Sequence, residues 1–190
     1  GAIHLVDSTG HFSRLFERQQ PFVDGEAWMR YLPDGRTVLL NSDAKIWRIV
    51  LATGAADPIP SPASAVDLRA SPSPDGLRAV FSRNGFLSII DLRSKSITPL
   101  GVEGYGARWS PDGAWIAYGD VDSGLWIIRP NGTGVRRLNV AGIGYAPEID
   151  WSPDGKWIVA TTGLGLTLVD PVSLVTLPLG QTKGQRYPAW

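Results

Sequence analysis

Four near-copies of one turn motif, spaced about 40 residues apart, predict an all-β fold and, more closely, a β-propeller. The copies contain Pro-Asp-Gly at residues 33–35, 74–76, 111–113 and 153–155. One strand-like run precedes each copy and three follow it, so every repeat holds four short strands, A to D in chain order. No helical periodicity of useful length interrupts them. Four-stranded antiparallel blades of this length build propellers, whereas leucine-rich repeats are shorter and ankyrin repeats are helical.

The Pro-Asp-Gly motif has the chemistry of a tight turn between strands A and B. Proline presets φ for position i+1 of a type I turn, aspartate is tolerated at i+2, and glycine supplies the left-handed residue that follows. Aromatic and β-branched residues flank the two strongest copies, at 109–118 and 151–160, and favour strands. The motif is therefore interpreted as structural, and Trp109 and Trp151 are predicted to be equivalent, buried residues between adjacent blades.

The remaining strands follow in order along the chain. A first hairpin is predicted at 3–7 and 12–16. Strands C and D are predicted at 46–50 and 58–59, 86–91 and 96–100, 125–128 and 135–138, and 166–170 and 174–177. Asn84-Gly85 predicts a type I′ turn between strands B and C of the second repeat. Because strands C are apolar at consecutive positions, both of their faces are expected to be covered.

These strands divide one propeller domain, residues 1–190, into four full blades with incomplete blades at both ends. The predicted boundaries are a partial blade at 1–21, full blades at 22–61, 62–102, 103–143 and 144–183, and the start of another blade at 184–190. The chain supplies one strand B fewer than it supplies of strands A, C and D. It is therefore expected not to close into a regular ring alone, and to associate through its open blade edges or bind the missing part.

Composition and motifs argue against several classes of function. Lysine plus arginine equals aspartate plus glutamate, 18 of each, so net charge gives no attraction to nucleic acid or to a membrane surface. Cysteine is absent, which removes thiol catalysis, and no apolar run reaches the roughly 18 residues of a transmembrane helix. The sequence also lacks the Gly-x-Ser-x-Gly nucleophile elbow of serine hydrolases. Neither a nucleic-acid partner nor membrane insertion by this segment is expected, and no catalytic residue is assigned.

Two features are candidate metal ligands. Residues 120–124, Asp-Val-Asp-Ser-Gly, resemble the start of a calcium loop, but Asn131 stands at the twelfth position, where an EF-hand needs glutamate. The segment is interpreted as a turn between strands B and C. The two histidines, His4 and His11, are interpreted as surface or packing residues. No metal site and no cofactor is predicted.

The candidate binding residues lie on the innermost strand of each blade, because strand A lines the axial channel of a propeller. They are Asp24, Glu26, Asp67, Arg69, Tyr105, Arg108, Glu148, Asp150 and Arg186. Their mixed signs suit contacts to a peptide or protein better than contacts to phosphate. The pattern leaves open that they pair with one another as a structural polar network.

The strongest repeat, Trp-Ser-Pro-Asp-Gly-x-Trp-Ile-Ala-Tyr followed by Leu-Trp-Ile-Ile and Gly-Thr-Gly-x-x-x-Leu, resembles the TolB-type propeller repeat, a WD-repeat-like family. Repeats three and four carry the likeness, whereas Tyr31-Leu32 and Pro72 depart from it. The resemblance implies a piece of a larger ring, with six blades favoured over a five-bladed ring that has a composite blade.

For function, the resemblance implies a non-enzymatic module that binds a protein or peptide, or the remaining blades of its parent protein, in the periplasm or as a sensor ectodomain. Two alternatives stay open. One is the propeller of a prolyl oligopeptidase-like serine peptidase whose catalytic domain lies outside this chain. The other is a small-molecule or metal site in the channel.

Overall fold

The computed structural model describes residues 28–144, 147–163 and 165–179 in full, together with the backbone of two strands near the N-terminus. The described residues form eighteen β-strands and no helix, which confirms the all-β class. Consequently, within these ranges no helix is long and apolar enough to span a membrane.

Four four-stranded antiparallel sheets follow one another along the chain. The first sheet holds β3 (Trp28–Tyr31), β4 (Thr37–Ser42), β5 (Lys45–Val50) and β6 (Ala55–Pro58). The second holds β7 (Asp67–Pro72), β8 (Arg78–Arg83), β9 (Phe86–Asp91) and β10 (Ile97–Glu103). The third holds β11 (Tyr105–Trp109), β12 (Ile116–Gly119), β13 (Leu125–Ile128) and β14 (Arg136–Leu138). The fourth holds β15 (Ile149–Trp151), β16 (Ile158–Thr162), β17 (Gly165–Val169) and β18 (Thr176–Pro178).

A two-stranded sheet of β1 (Ala2–Val6) and β2 (Phe12–Glu17) precedes them, as the first predicted hairpin requires. Spatial order follows chain order in every sheet, so each sheet is a meander with strand A at one edge. Strand A of the second sheet, β7, contacts β3 and β4 on one side and β11 on the other, and β11 in turn contacts β15. Successive sheets therefore stack as propeller blades do. The blade start predicted at 184–190 lies outside the described residues.

The Pro-Asp-Gly turns have the predicted geometry. Each glycine N–H donates to the carbonyl oxygen three residues earlier, at 2.9 to 3.0 Å. The four glycines have φ between +61° and +71°; they are Gly35, Gly76, Gly113 and Gly155. The predicted type I′ turn is confirmed as well, since Asn84 and Gly85 both have positive φ, 50° and 87°.

The serine before Pro-Asp-Gly has a bonding role that the turn chemistry alone did not predict. The Ser110 hydroxyl donates to Asp112 Oδ1 at 2.6 Å and accepts the Trp115 N–H at 2.9 Å. Ser152 does the same with Asp154 and Trp157, at 2.6 and 2.9 Å. The hydroxyl thus ties the turn to the strand that follows it.

Apolar side chains fill the space between successive sheets. Trp109 packs with Val80 and Leu87 of the second sheet, and Trp151 packs with Ile127 of the third. Both indoles are buried, with 7% and 6% exposed, which confirms the prediction of equivalent packing. Their polar atoms differ: Trp151 Nε1 donates to Arg108 O at 3.2 Å, whereas Trp109 Nε1 has no partner among the described residues.

Strands B are covered on both faces at most positions, and only some of the strands C are. β4 is buried at all six positions and β12 at all four. The expectation for strands C holds for β9 and β13, but it is wrong for β5 and β17, which have buried and half-buried positions intermixed. Strand B lies beside the inner strand A, so neighbouring sheets cover it more completely than they cover a strand nearer the rim.

Candidate functional site

One position recurs in the four repeats, three residues before the inner strand ends at its turn; in the fourth repeat it comes just before β15. Counting back from Tyr31, Pro72, Trp109 and Trp151 gives the inner-ring residues, which are Trp28, Arg69, Gly106 and Glu148. The offset from the turn repeats, but the backbone conformation does not: Arg69 and Gly106 have positive φ, and Trp28 and Glu148 do not. The side chains are an indole, a guanidinium, a hydrogen and a carboxylate, so four corresponding positions carry four different chemistries.

Arg69 joins three of the four sheets through its guanidinium. Its Cζ lies 4.2 Å from the centroid of the Trp28 ring, a cation–π contact with the first sheet. Its Nη1 donates to Glu148 Oε1 at 2.7 Å, next to the fourth sheet. Since the ion pair bypasses the third sheet, Arg69 extends across the inner side of the ring. Both side chains of the pair are partly buried, with 23% and 13% exposed.

The backbone of Arg69 is held in an unusual conformation. Its φ is +53°, in the left-handed region, and strands β7 and β8 shift register between Leu68 and Ser71. The Arg69 N–H donates to Asn41 Oδ1 of the first sheet. The amide of Asn41 also donates to Asp67 O at 2.8 Å. One asparagine therefore fixes the bulge from which the Arg69 side chain extends.

Gly106 is the inner-ring residue of the sheet that Arg69 bypasses. Its φ is +63°, and a Cβ at this position would lie 2.8 Å from Pro147 O. Glycine lets the backbone before β15 approach this closely.

Arg108 lies two residues beyond Gly106 and is buried, with 5% exposed. Its Nη1 donates to Ala107 O at 3.0 Å, and its buried Nε has no hydrogen-bond partner in the described ranges. Burial and, after it, the charge of Arg30 lower the pKa of Arg108 to about 10, while Glu148 and Asp150 oppose the shift. The guanidinium remains charged at neutral pH.

Arg108 and the four charged residues that act on it are here called the central charge cluster. Its members are Arg30, Arg69, Arg108, Glu148 and Asp150. They come from all four sheets, and the side chains of the other four act electrostatically on Arg108. Among the described residues, three cations and two carboxylates leave one positive charge in excess. The arrangement can hold a polar segment that presents hydrogen-bond acceptors and at least one anionic group.

The structure brings together four of the candidates taken from the sequence, Arg69, Arg108, Glu148 and Asp150, and separates two others. Asp67 is fully buried and binds Arg83, with its carboxylate oxygens 2.7 Å from Nε and 2.8 Å from Nη2. This pair belongs to the second sheet and is structural. Tyr105 turns its hydroxyl toward Gly85, whose Cβ position it would approach to 2.8 Å.

Asp24, Glu26 and Arg186 lie outside the described residues. Sequence reasoning missed Trp28, Arg30 and Gly106 as members of the inner ring and the cluster. The signal that identifies them is their offset from the turn, which is the same as that of residues already chosen on neighbouring blades.

The segment considered for calcium serves as a turn. Asp120 Oδ1 accepts the Gly124 N–H at 2.6 Å, and Oδ2 accepts Trp126 Nε1–H at 2.6 Å. Both carboxylate oxygens are thus used in fixing the connection between β12 and β13. Within the described ranges, no group of three or more His, Cys, Asp or Glu residues is placed to hold a metal ion. The side chains of His4 and His11 lie outside those ranges.

Apart from the central charge cluster, a cavity of about 420 Å³ lies between the third and fourth sheets, next to their Pro-Asp-Gly turns. Asp112 and Asp154 line it, together with Trp115 and Trp151. Both carboxylates are already bonded to their turn serines. Because its acidic groups are committed to the turns, this cavity is a weaker candidate than the central charge cluster.

No model of a known protein family matches the chain, and no curated protein matches it. Solved structures do. An oligogalacturonate lyase in complex with manganese shares 19% identity at a TM-score of 0.72, over 91% of this chain and 57% of that one. A chain of a nidogen/laminin complex shares 12% sequence identity at a TM-score of 0.65, and the match covers 76% of this chain and 60% of that one. At these identities the likeness shows the fold, a β-propeller. The chain spans less than two thirds of either neighbour.

Proposed function

We propose that this chain is a non-enzymatic binding module, in which the central charge cluster receives a protein or peptide segment. The observation that carries the proposal is the placement of Arg69 between the Trp28 ring and Glu148 across the inner side of the ring. Tryptophan and arginine are the residue types that most often supply the energy of protein interfaces. An arginine ordered before binding also loses less side-chain entropy on binding.

The mixed charge of the cluster favours a peptide over a polyanion. Arg30, Arg69 and Arg108 are accompanied by Glu148 and Asp150, which repel closely spaced phosphates. Over the whole chain, basic and acidic residues balance at 18 each. A polypeptide presents donors and acceptors of both kinds, so it complements such a surface better than a nucleic acid does.

The proposed setting is that of a TolB-type propeller, in the periplasm or as the outer part of a membrane-bound sensor. Support comes from the repeat motif at 109–118 and 151–160. The remaining blades of a parent protein are a second proposed partner, one that contacts blade faces and leaves the cluster free. A propeller of similar fold occurs in a protein–protein complex, which is compatible with this role.

The test is selection of a displayed random-peptide library on the purified chain, followed by measurement of affinity for the selected peptides. Arg69→Gln removes the guanidinium while leaving the backbone bonds of the bulge possible. The matched control is Arg93→Gln, an exposed arginine in the turn between β9 and β10 of the same sheet. We expect Arg69→Gln to weaken binding about tenfold or more, as loss of a charge-assisted hydrogen bond does, and Arg93→Gln to have little effect. Equal affinity for the wild type and Arg69→Gln would show that peptides bind elsewhere.

The non-enzymatic part of the proposal has its own assay. Purified protein is incubated with peptide, ester and oligogalacturonate substrates, with and without manganese or calcium. We expect no turnover above that of a heat-denatured sample. Turnover that disappears in Arg69→Gln or Arg108→Gln, with the fold retained, would place an enzyme site in the channel.

A further inference from the structure

Arg108 differs from the other cations of the central charge cluster in its burial and its bonding. It is 5% exposed, whereas Arg30 and Arg69 are half-buried. Arg69 has Glu148 as an ion-pair partner within 2.7 Å, but Arg108 has no carboxylate within ion-pair distance among the described residues. Its bond to Ala107 O uses only part of the donor set of a guanidinium, and Nε is left without a partner.

The position of this guanidinium follows from its strand. Arg108 lies on β11, which contacts β7 of the second sheet and β15 of the fourth. Its strand neighbours Ala107 and Trp109 pack against the second sheet, so the side chain of Arg108 leaves the opposite face of β11, toward the fourth sheet. The unpartnered donor therefore lies on the side of Glu148 and Asp150, both of which act on it electrostatically.

A buried donor without an acceptor is rare in proteins and generally points to a missing partner. A carboxylate fits here for two reasons. It presents two acceptor oxygens in the geometry of a guanidinium edge, and it carries the single negative charge that would neutralise the excess charge of the cluster. A phosphate dianion fits less well, because Glu148 and Asp150 also act on this site.

We propose that Arg108 is the binding residue for a carboxylate of the bound segment, either an acidic side chain or a C-terminal carboxylate. The inference rests on the proposed peptide-binding function and names the chemistry that the site selects. In this arrangement Trp28 and Glu148 hold Arg69 in place as one wall of the site, and Arg108 forms its floor.

The experiment is a calorimetric titration with five probes. Three are blocked pentapeptides, penta-glutamate, penta-glutamine and penta-lysine; the fourth is penta-glutamine with a free C-terminal carboxylate; the fifth is glutarate. We expect a carboxylate-bearing peptide to bind the wild type at least about tenfold tighter than blocked penta-glutamine, with the preference weakening as salt increases. Whether penta-glutamate or the free C-terminus shows the preference identifies the source of the carboxylate. A wild type that binds the peptides without this distinction overturns the inference, and so does one that binds neither a peptide nor glutarate.

Variants assign the preference to Arg108. In Arg108→Gln the preference should disappear, in Arg108→Lys it should be reduced because the forked geometry is lost, and in Arg93→Gln it should persist. Far-UV circular dichroism and a thermal melt check that each variant is folded. If Arg108→Gln does not fold, Arg108→Lys decides: an unreduced preference in a folded Arg108→Lys overturns the inference.

Failure of this inference is distinguishable from failure of the proposed function. Peptides that bind through Arg69 without any preference for carboxylate would leave the binding module intact and remove the role of Arg108. Glutarate binding that depends on Arg108, in a chain that binds no peptide, would keep the carboxylate site and remove the peptide-binding function.

Discussion

The Pro-Asp-Gly turns follow the inner strands, and the inner-ring residues precede the ends of those strands by three positions. The turn residues are repeated from blade to blade, whereas the inner-ring residues differ in every blade. The turns repeat residue for residue in the third and fourth blades, and the hydrogen bonds repeat with them at nearly equal distances. The inner-ring residues share one offset from the turn and differ in side-chain chemistry. Each turn has the same structural role, which is to reverse the chain between strands A and B. The side chains of the inner ring face a common centre and must complement each other.

In the first blade a hydroxyl still donates to the turn aspartate, although the turn serine is replaced. Leu32 replaces the turn serine, so no hydroxyl is available before the proline. Thr37 supplies it from the other side: its Oγ1 donates to Asp34 Oδ2 at 2.8 Å and its N–H donates to Oδ1 at 2.9 Å. Repetition in this chain therefore reports a structural requirement, and variation at the inner ring is where a site is expected.

The largest expected effect tests the structural half of this comparison. Trp109→Ala and Trp151→Ala each remove a buried indole between two sheets and should destabilise the chain by about 3–5 kcal/mol if the cavity does not collapse. Equilibrium urea unfolding followed by circular dichroism measures the loss. A cost below about 1 kcal/mol at either position would contradict equivalent packing.

Phenylalanine at the same two positions is the control, because it keeps most of the volume. Trp151→Phe loses the hydrogen bond to Arg108 O, whereas Trp109 Nε1 has no described partner to lose. The first substitution should therefore cost more than the second by about 1 kcal/mol.

Gly106→Ala tests the inner ring. The new Cβ would meet Pro147 O at 2.8 Å and would also stand at a φ of +63°. Strain and overpacking together should cost about 2–4 kcal/mol. The thermal melt of this variant, compared with wild type, is the measurement; an unchanged melt would mean that the approach of β15 to β11 is not tight.

Gly113→Ala and Gly155→Ala should cost less, about 1 kcal/mol each, because only the positive φ is strained. Their nearest neighbours, Pro74 and Pro111, leave the new Cβ at 3.7 and 3.9 Å. Gly144→Ala is the matched control, since its Cβ has nothing within 4 Å and its φ is not in the left-handed region. The midpoints of urea unfolding rank the three variants. A turn variant with the same midpoint as the control would show that the turn glycine is not needed for its positive φ.

The smallest expected effect is a dependence of stability on pH. The Ser110 hydroxyl, followed by the Ala114 N–H, lowers the pKa of Asp112 below its ordinary 3.8. A depressed carboxylate pKa stabilises the fold above the ordinary value, and this stabilisation is lost as pH falls through the folded pKa. The gap in stability between wild type and Ser110→Ala should therefore be wider at about pH 6 than at about pH 2.

Urea unfolding at the two pH values measures that gap, and Ser152→Ala should repeat the result through Asp154, whose pKa the Ser152 hydroxyl lowers in the same way. A gap that is independent of pH would show that the serine acts only through its bond to the following strand.

The sequence by itself determined the blades of this protein. The turn at 111–113, the type I′ turn at 84–85 and the strands around them depend on φ restrictions and side-chain alternation, which act within about ten residues. Burial of Trp109 and Trp151 followed from the same repeat. These features are local, and a local pattern is sufficient to predict them.

Only the tertiary structure decided which inner side chains meet. Arg69 and Glu148 are 79 residues apart and lie on sheets that are not neighbours. Their contact depends on how the sheets stack and on the bulge fixed by Asn41, from which the Arg69 side chain extends. Asp67 shows the converse, because its partner Arg83 lies on the adjacent strand of its own sheet. Strand identity is a property of short segments, whereas the central charge cluster is a property of the whole stack.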